Sequence, residues 1–167
     1  KKELSEELKL EVFKCLEVSS RQLNSNIVHD FMVKENKIFL GQCIFVCKEA
    51  IVQETFIKLR KSAVEALMSL SHLHDNVDFH DVVLREQISQ ILFIVLPQVA
   101  TVLIKVCQED TLRGPQLIQV SLKTLGRFLC LILEDYERKS SNEQATNQDF
   151  LRLLNGRSNE VQVLPKV

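Results

Sequence analysis

The sequence predicts an all-α protein built as a superhelix, in which antiparallel helix pairs stack side by side. Residues 59–73 place a small residue and three leucines at helical spacing on one face: Ala63, Leu67, Leu70 and Leu73. Similar patterns recur at residues 8–23 and 117–132. Glycine (4 residues) and proline (3 residues) are scarce, which argues against the many tight turns of a β-sandwich or barrel.

Alignment of the three patterns on Leu16, Leu67 and Leu125 places a small or apolar residue four positions earlier in each copy. A charged residue lies two positions before each leucine. We interpret the patterns as three copies of one inner helix. Their spacing exceeds the roughly 40–47 residues of HEAT and armadillo units, so long partner helices or loops must separate them. The predicted architecture is a HEAT/ARM-like solenoid with five long helices and a short C-terminal one.

The first helix is expected to begin after Ser5, because a capping hydroxyl followed by two glutamates suits a helix N-terminus. It should end at the polar residues 24–26, whose side chains compete for backbone hydrogen bonds. A second helix is predicted over residues 38–52. A third is predicted over residues 56–73, with Thr55 as its cap.

The fourth helix is predicted over residues 78–107. Its segment 87–104 carries no charge and has nearly the length of a membrane span. Glutamine and serine side chains within the segment favour the alternative, a helix buried on several sides in a protein without membrane contact. Pro97 removes one backbone hydrogen bond and clashes with the preceding turn, so we predict a kink there.

The fifth helix is predicted over residues 116–138, after a Gly-Pro pair suited to a helix start. Residues 140–148 are rich in Ser, Asn, Gln and Thr, and such a segment is expected to be a flexible link. A short helix is predicted over residues 150–154. We therefore expect a helical repeat segment over residues 1–139 and a linker with an unassigned tail over residues 140–167.

Composition bounds the class of protein. Apolar residues make up 46 % and charged residues 26 % of the chain, which is ordinary for a globular protein. The net charge of −1 gives no sign of a basic surface that would bind the phosphates of a nucleic acid. The absence of Trp and the single Tyr argue against base stacking. Five cysteines in apolar helical contexts indicate reduced, buried thiols of the cytosol or nucleus. The chain starts without Met on a helical pattern, so we expect a piece of a longer protein without a signal peptide.

Residues 72–81 concentrate potential metal ligands in one predicted turn: His72, His74, Asp75, Asp78, His80 and Asp81. No pair of these histidines has the spacing that joins two ligands on a helix, and no second cluster completes a tetrahedral site. We interpret the stretch as a solvated polar turn with helix caps.

Two further groups of residues are candidate chemical sites. Cys43 and Cys47 lie one helical turn apart, but no basic neighbour lowers their pKa, so packing residues are the favoured interpretation, as for the other three cysteines. His29 and Asp30 resemble half of a catalytic dyad, yet no nucleophile elbow, Walker A loop or dinucleotide fingerprint accompanies them. We therefore predict no enzyme activity, cofactor, metal or small-molecule substrate.

A basic surface is the remaining candidate. It would form if the inner helices stack side by side, and it would consist of Lys58, Arg60, Lys61, Arg113, Arg127 and Arg138. The functional interpretation is docking of an acidic partner, and the alternative is a set of ordinary solvated helix faces. No protein-binding residue is assigned from the sequence.

Four segments together resemble the N-terminal region of the Tel-two-interacting protein one family, the HEAT-repeat subunit of the Triple T complex. They are LSEELKLEVFKCL (residues 4–16), IKLRKSAVEALMSL (57–70), ILFIVLPQVATVLIKV (91–106) and SLKTLGRFLCLILED (121–135). The resemblance spans residues 4–139 and rests on dispersed apolar patterns in a fixed order.

The resemblance implies a cytoplasmic and nuclear co-chaperone scaffold. Its partners would be the other Triple T subunits and the phosphatidylinositol 3-kinase-related kinases, including the target-of-rapamycin kinase, with the heat-shock chaperone machinery acting indirectly. The alternative is a nuclear-transport-type HEAT scaffold, which cradles basic cargo on acidic inner helices. Mixed or basic residues such as Lys58, Lys123 and Arg127 disfavour it.

Overall fold

The computed structural model describes residues 5–23, 27–28, 37–78, 80–109 and 114–142. All regular elements within these ranges are helices. They are α1 (Glu6–Gln22), α2 (Lys37–Gln53), α3 (Ile57–Ser71), the one-turn α4 (Leu73–Asn76), α5 (Val82–Gln108) and α6 (Pro115–Asn142). The predicted all-α class is confirmed, and each of the five predicted long helices is present. The predicted helix over residues 150–154 lies outside the described residues.

Local capping explains where two helices begin. The Ser5 hydroxyl accepts a hydrogen bond from the Leu8 N–H at 3.3 Å, and the Asp81 carboxylate accepts one from the Leu84 N–H at 3.1 Å. The expected Thr55 cap is wrong, because the N-cap of α3 is Phe56, whose side chain makes no capping bond. The Phe56 backbone carbonyl accepts hydrogen bonds from the N–H groups of Leu59 and Arg60, at 3.0 and 3.1 Å.

Helix α5 runs without interruption through Pro97, from Val82 to Gln108. Thr101 lies one turn after Pro97 in the same helix, and its hydroxyl donates a hydrogen bond to the Pro97 carbonyl at 2.8 Å. The predicted kink at this residue stays a prediction. Beyond the predicted end of the fifth helix, α6 continues to Asn142.

The five long helices form two layers. Helix α3 packs against α1 on one side and α6 on the other, so α1, α3 and α6 form an inner layer. Helices α2 and α5 contact each other and pack on α3 and α6 respectively, which forms the outer layer. The three helices of similar sequence pattern are thus the three inner helices, as an α-α superhelix requires.

The centre of the core is α3. Its predicted inner face is buried throughout, with Ala63 and Leu67 at most 1 % exposed. Helix α1 buries far less, chiefly Phe13, because it has an inner neighbour on one side only among the described helices. In α6 the expected core residue Leu125 is partly buried against the core, whereas Phe128 is buried more completely.

Two described helical segments are long and apolar enough to cross a membrane by length and composition, Val82–Gln108 and Pro115–Glu134. Core helices of proteins that never meet a membrane pass the same test. Both segments pack in the stack here, α5 against α2 and α6, and α6 against α3. In each helix 33 % of the most apolar window is buried in the stack, so packing accounts for part of the apolar character.

Candidate functional site

The polar stretch at residues 72–81 is built into the stack. Arg127 of α6 donates hydrogen bonds from Nη2 to both carboxylate oxygens of Asp75, at 2.6 and 2.7 Å, and His72 Nδ1 lies 2.8 Å from the same carboxylate. Partial burial opposes ionisation of Asp75, but the His72 hydrogen bond and the Arg127 charge outweigh it and lower the pKa of that carboxyl. This carboxylate is an ion-pair partner that ties α4 to α6.

His74 corrects the expectation of a solvated turn. It is 7 % exposed, because the buried neighbours Leu73 and Val77 hold this turn in the core. Its ring nitrogens lie 3.4 and 3.5 Å from the guanidinium of Arg85. Burial, and then the Arg85 charge, lower the pKa of His74 and thereby favour the neutral ring. Among the described residues, no group of three His, Cys, Asp or Glu side chains is arranged to hold a metal.

The cysteines divide between core and surface. Cys47 is fully buried, and burial together with the neighbouring Cys43 raises the pKa of the Cys47 thiol to about 12. Such a thiol stays protonated and packs as a small apolar group. Cys15 and Cys130 are exposed, contrary to the expectation that they pack in the core. Each lies on a flank of an end helix of the inner layer, where no described helix covers it. His29 and Asp30 lie outside the described residues.

Two cations of the candidate basic surface, Arg60 and Arg127, form ion pairs within the stack. Arg60 makes a bidentate ion pair with Glu109, at 2.7 and 2.9 Å, and its Nε donates to the Ile51 carbonyl at 2.9 Å. Arg127 is paired with Asp75 as described above. These cations join elements of the stack to each other, so their charge is largely neutralised. Arg113 and the side chain of Arg138 lie outside the described part of the chain.

A groove between α1 and α2 is the site that the sequence did not predict. Both helices pack on α3 rather than closely on each other, which leaves an open cavity of about 560 Å³ between them. It is lined by Val12, Cys15, Leu16, Ser19, Ser20, Leu23, Val28, Phe39, Leu40, Gln42, Cys43, Val46, Leu70 and Leu73. A second cavity of about 270 Å³ shares Val12 and Val46 and extends the groove towards the start of α1.

The larger cavity of the α1–α2 groove is almost entirely apolar, whereas Lys9, Glu49 and Glu54 line the smaller one. None of the residues lining its larger cavity is charged, and its walls carry half-exposed side chains such as Val12, Phe39 and Val46. Ser20 offers no anchor, because its hydroxyl donates within α1 to the Leu16 carbonyl at 2.7 Å. The groove is therefore suited to an apolar macromolecular surface, and it lacks the convergent polar groups that orient a small molecule.

The sequence contained a signal for this groove. Helix α1 carries apolar residues on a second face, Leu8, Val12, Cys15 and Val18, in addition to those that pack on α3. Helix α2 likewise carries Phe39, Phe45, Val46 and Val52 outside its buried stripe. An apolar surface wider than one helix face indicates a second contact.

Comparison with known proteins gives one family. The family model described as "TTI1 N-terminal TPR domain" matches residues 1–165. No curated protein and no solved structure matches the chain significantly.

Proposed function

The chain belongs to the TTI1 N-terminal TPR domain family, and from this premise we propose that it acts as a non-enzymatic scaffold of the Triple T co-chaperone complex. The family match over residues 1–165 is the observation that carries the proposal. The family description names the repeats TPR rather than HEAT. Both kinds are stacks of antiparallel helix pairs, so the architecture is the same in kind.

The two-layer stack supports a scaffold role through its rigidity. Ion pairs join separate elements at several points, Arg60 to Glu109, Arg127 to Asp75, and Lys9 of α1 to Glu54 after α2 at 2.6 Å. Such cross-links hold helices in one relative arrangement. A partner can then bind without a large ordering cost in the scaffold.

The stack also offers a surface rather than a reaction centre. The α1–α2 groove exposes apolar surface, and burial of apolar surface is the main driving force for the association of helices. Each Å² of apolar surface buried by a partner contributes roughly 25 cal/mol. The polar side chains of His74 and Asp75 are already engaged within the fold, His74 in contact with Arg85 and Asp75 in an ion pair with Arg127. We therefore propose recognition by shape, with no cofactor and no covalent step.

The proposed clients are the phosphatidylinositol 3-kinase-related kinases. In this proposal the chain contributes to the assembly that joins the other Triple T subunits and passes these kinases to the heat-shock chaperone machinery, in the cytoplasm and the nucleus. The proposal rests on family membership and on the earlier sequence resemblance.

The test is an affinity purification of the full natural polypeptide with and without residues 1–139. We expect the deletion to reduce recovery of at least one kinase client or one Triple T subunit. Unchanged recovery of all of them would refute a scaffold role for this segment. A substitution at the exposed Ile94, far from the groove, serves as a control for folding and expression.

A further inference from the structure

We draw no further inference here: the strongest candidate, the apolar α1–α2 groove lined by Val12, Phe39 and Val46, is an unpartnered face of the helix stack, and nothing in the structure shows what covers it.

Discussion

The hydroxyl group of Ser121 is buried in the inner layer and lowers the stability of the fold. The residue is completely buried on α6, and its hydroxyl has no hydrogen-bond partner among the described residues. The small side chain suits a close approach of helices, as Ala63 does at the aligned position of α3. The hydroxyl thus gives up its hydrogen bond to water without receiving another, which is unfavourable.

We therefore expect Ser121→Ala to raise the free energy of unfolding by about 1 kcal/mol. The measurement is urea denaturation followed by circular dichroism. Ser19→Ala, on the exposed part of α1, is the control and should change stability by less than about 0.5 kcal/mol. A clear loss of stability in Ser121→Ala would mean that the hydroxyl has a partner.

His74 makes stability depend on pH. Its pKa is lowered from the usual 6.5 by burial and by Arg85 of α5, and the acidic groups Asp75 and Glu134 only partly offset this. The unfolded chain then binds a proton at a higher pH than the folded one. The contribution of His74 to stability is complete above the unfolded pKa and is lost as pH falls through the lower folded pKa.

We expect the free energy of unfolding to fall between pH 7 and pH 5, and to fall less in His74→Gln. Denaturant titrations at several pH values measure this difference in slope. The Asp75 carboxyl, whose pKa is lowered from 3.8, contributes in a separate window at lower pH. An identical slope in the wild type and in His74→Gln would show that His74 does not titrate differently on folding.

At the scale of the element, the three inner helices share one sequence pattern, but the aligned positions are not buried in the same way in all three. Phe13 of α1 and Val64 of α3 are buried, but the aligned Leu122 of α6 is exposed. Conversely, Thr124 of α6 is buried, but the aligned Cys15 of α1 is exposed. The two end helices expose opposite flanks, as expected for helices stacked side by side. Among the described inner helices, α3 alone has an inner neighbour on both flanks.

The same Leu→Ala substitution should therefore lower the free energy of unfolding by different amounts in different inner helices. We expect Leu67→Ala in α3 to lower the free energy of unfolding by about 2–5 kcal/mol, because it leaves a cavity in a fully packed region. Leu125→Ala in α6 should cost less, since that side chain is only partly buried. Denaturant unfolding of the two variants measures the difference. A larger loss for Leu125→Ala would contradict the central position of α3.

At the scale of the whole molecule, two ion pairs brace opposite ends of α3. Arg60 lies in its first turn and pairs with Glu109 after α5, whereas Arg127 of α6 pairs with Asp75 beyond its last turn. The separation along α3 is roughly 20 Å at 1.5 Å per residue. Both arginine side chains are 14 % exposed, whereas their carboxylate partners Glu109 and Asp75 are 43 % exposed, so water still screens each pair in part.

We expect Arg60→Ala and Arg127→Ala each to lower the free energy of unfolding by about 1 kcal/mol, the upper end for solvent-exposed ion pairs, because the arginine side is largely buried. The double variant should show the sum to within about 0.5 kcal/mol, because the two braces are distant and share no partner. Thermal and urea unfolding of the three variants give the comparison. A strongly non-additive double variant would indicate that the braces act as one network.

The sequence by itself determined the helices, the cap at Ser5 and the identity of the inner layer. These features depend on residues near each other in the chain, since periodicity and capping act within one or a few turns. The family resemblance also followed from the sequence, because the order of the apolar patterns is preserved whatever the helices contact.

The tertiary structure alone decided which flank of each helix is covered. The burial of His74, the exposure of Cys15, the pairing of Arg60 and Arg127, and the open α1–α2 groove all depend on the neighbours that a helix acquires in the stack. A helix with apolar residues on two faces looks the same in sequence whether one or both are covered. The difference is set by contacts between residues far apart in the chain, and it is these contacts that leave the groove open.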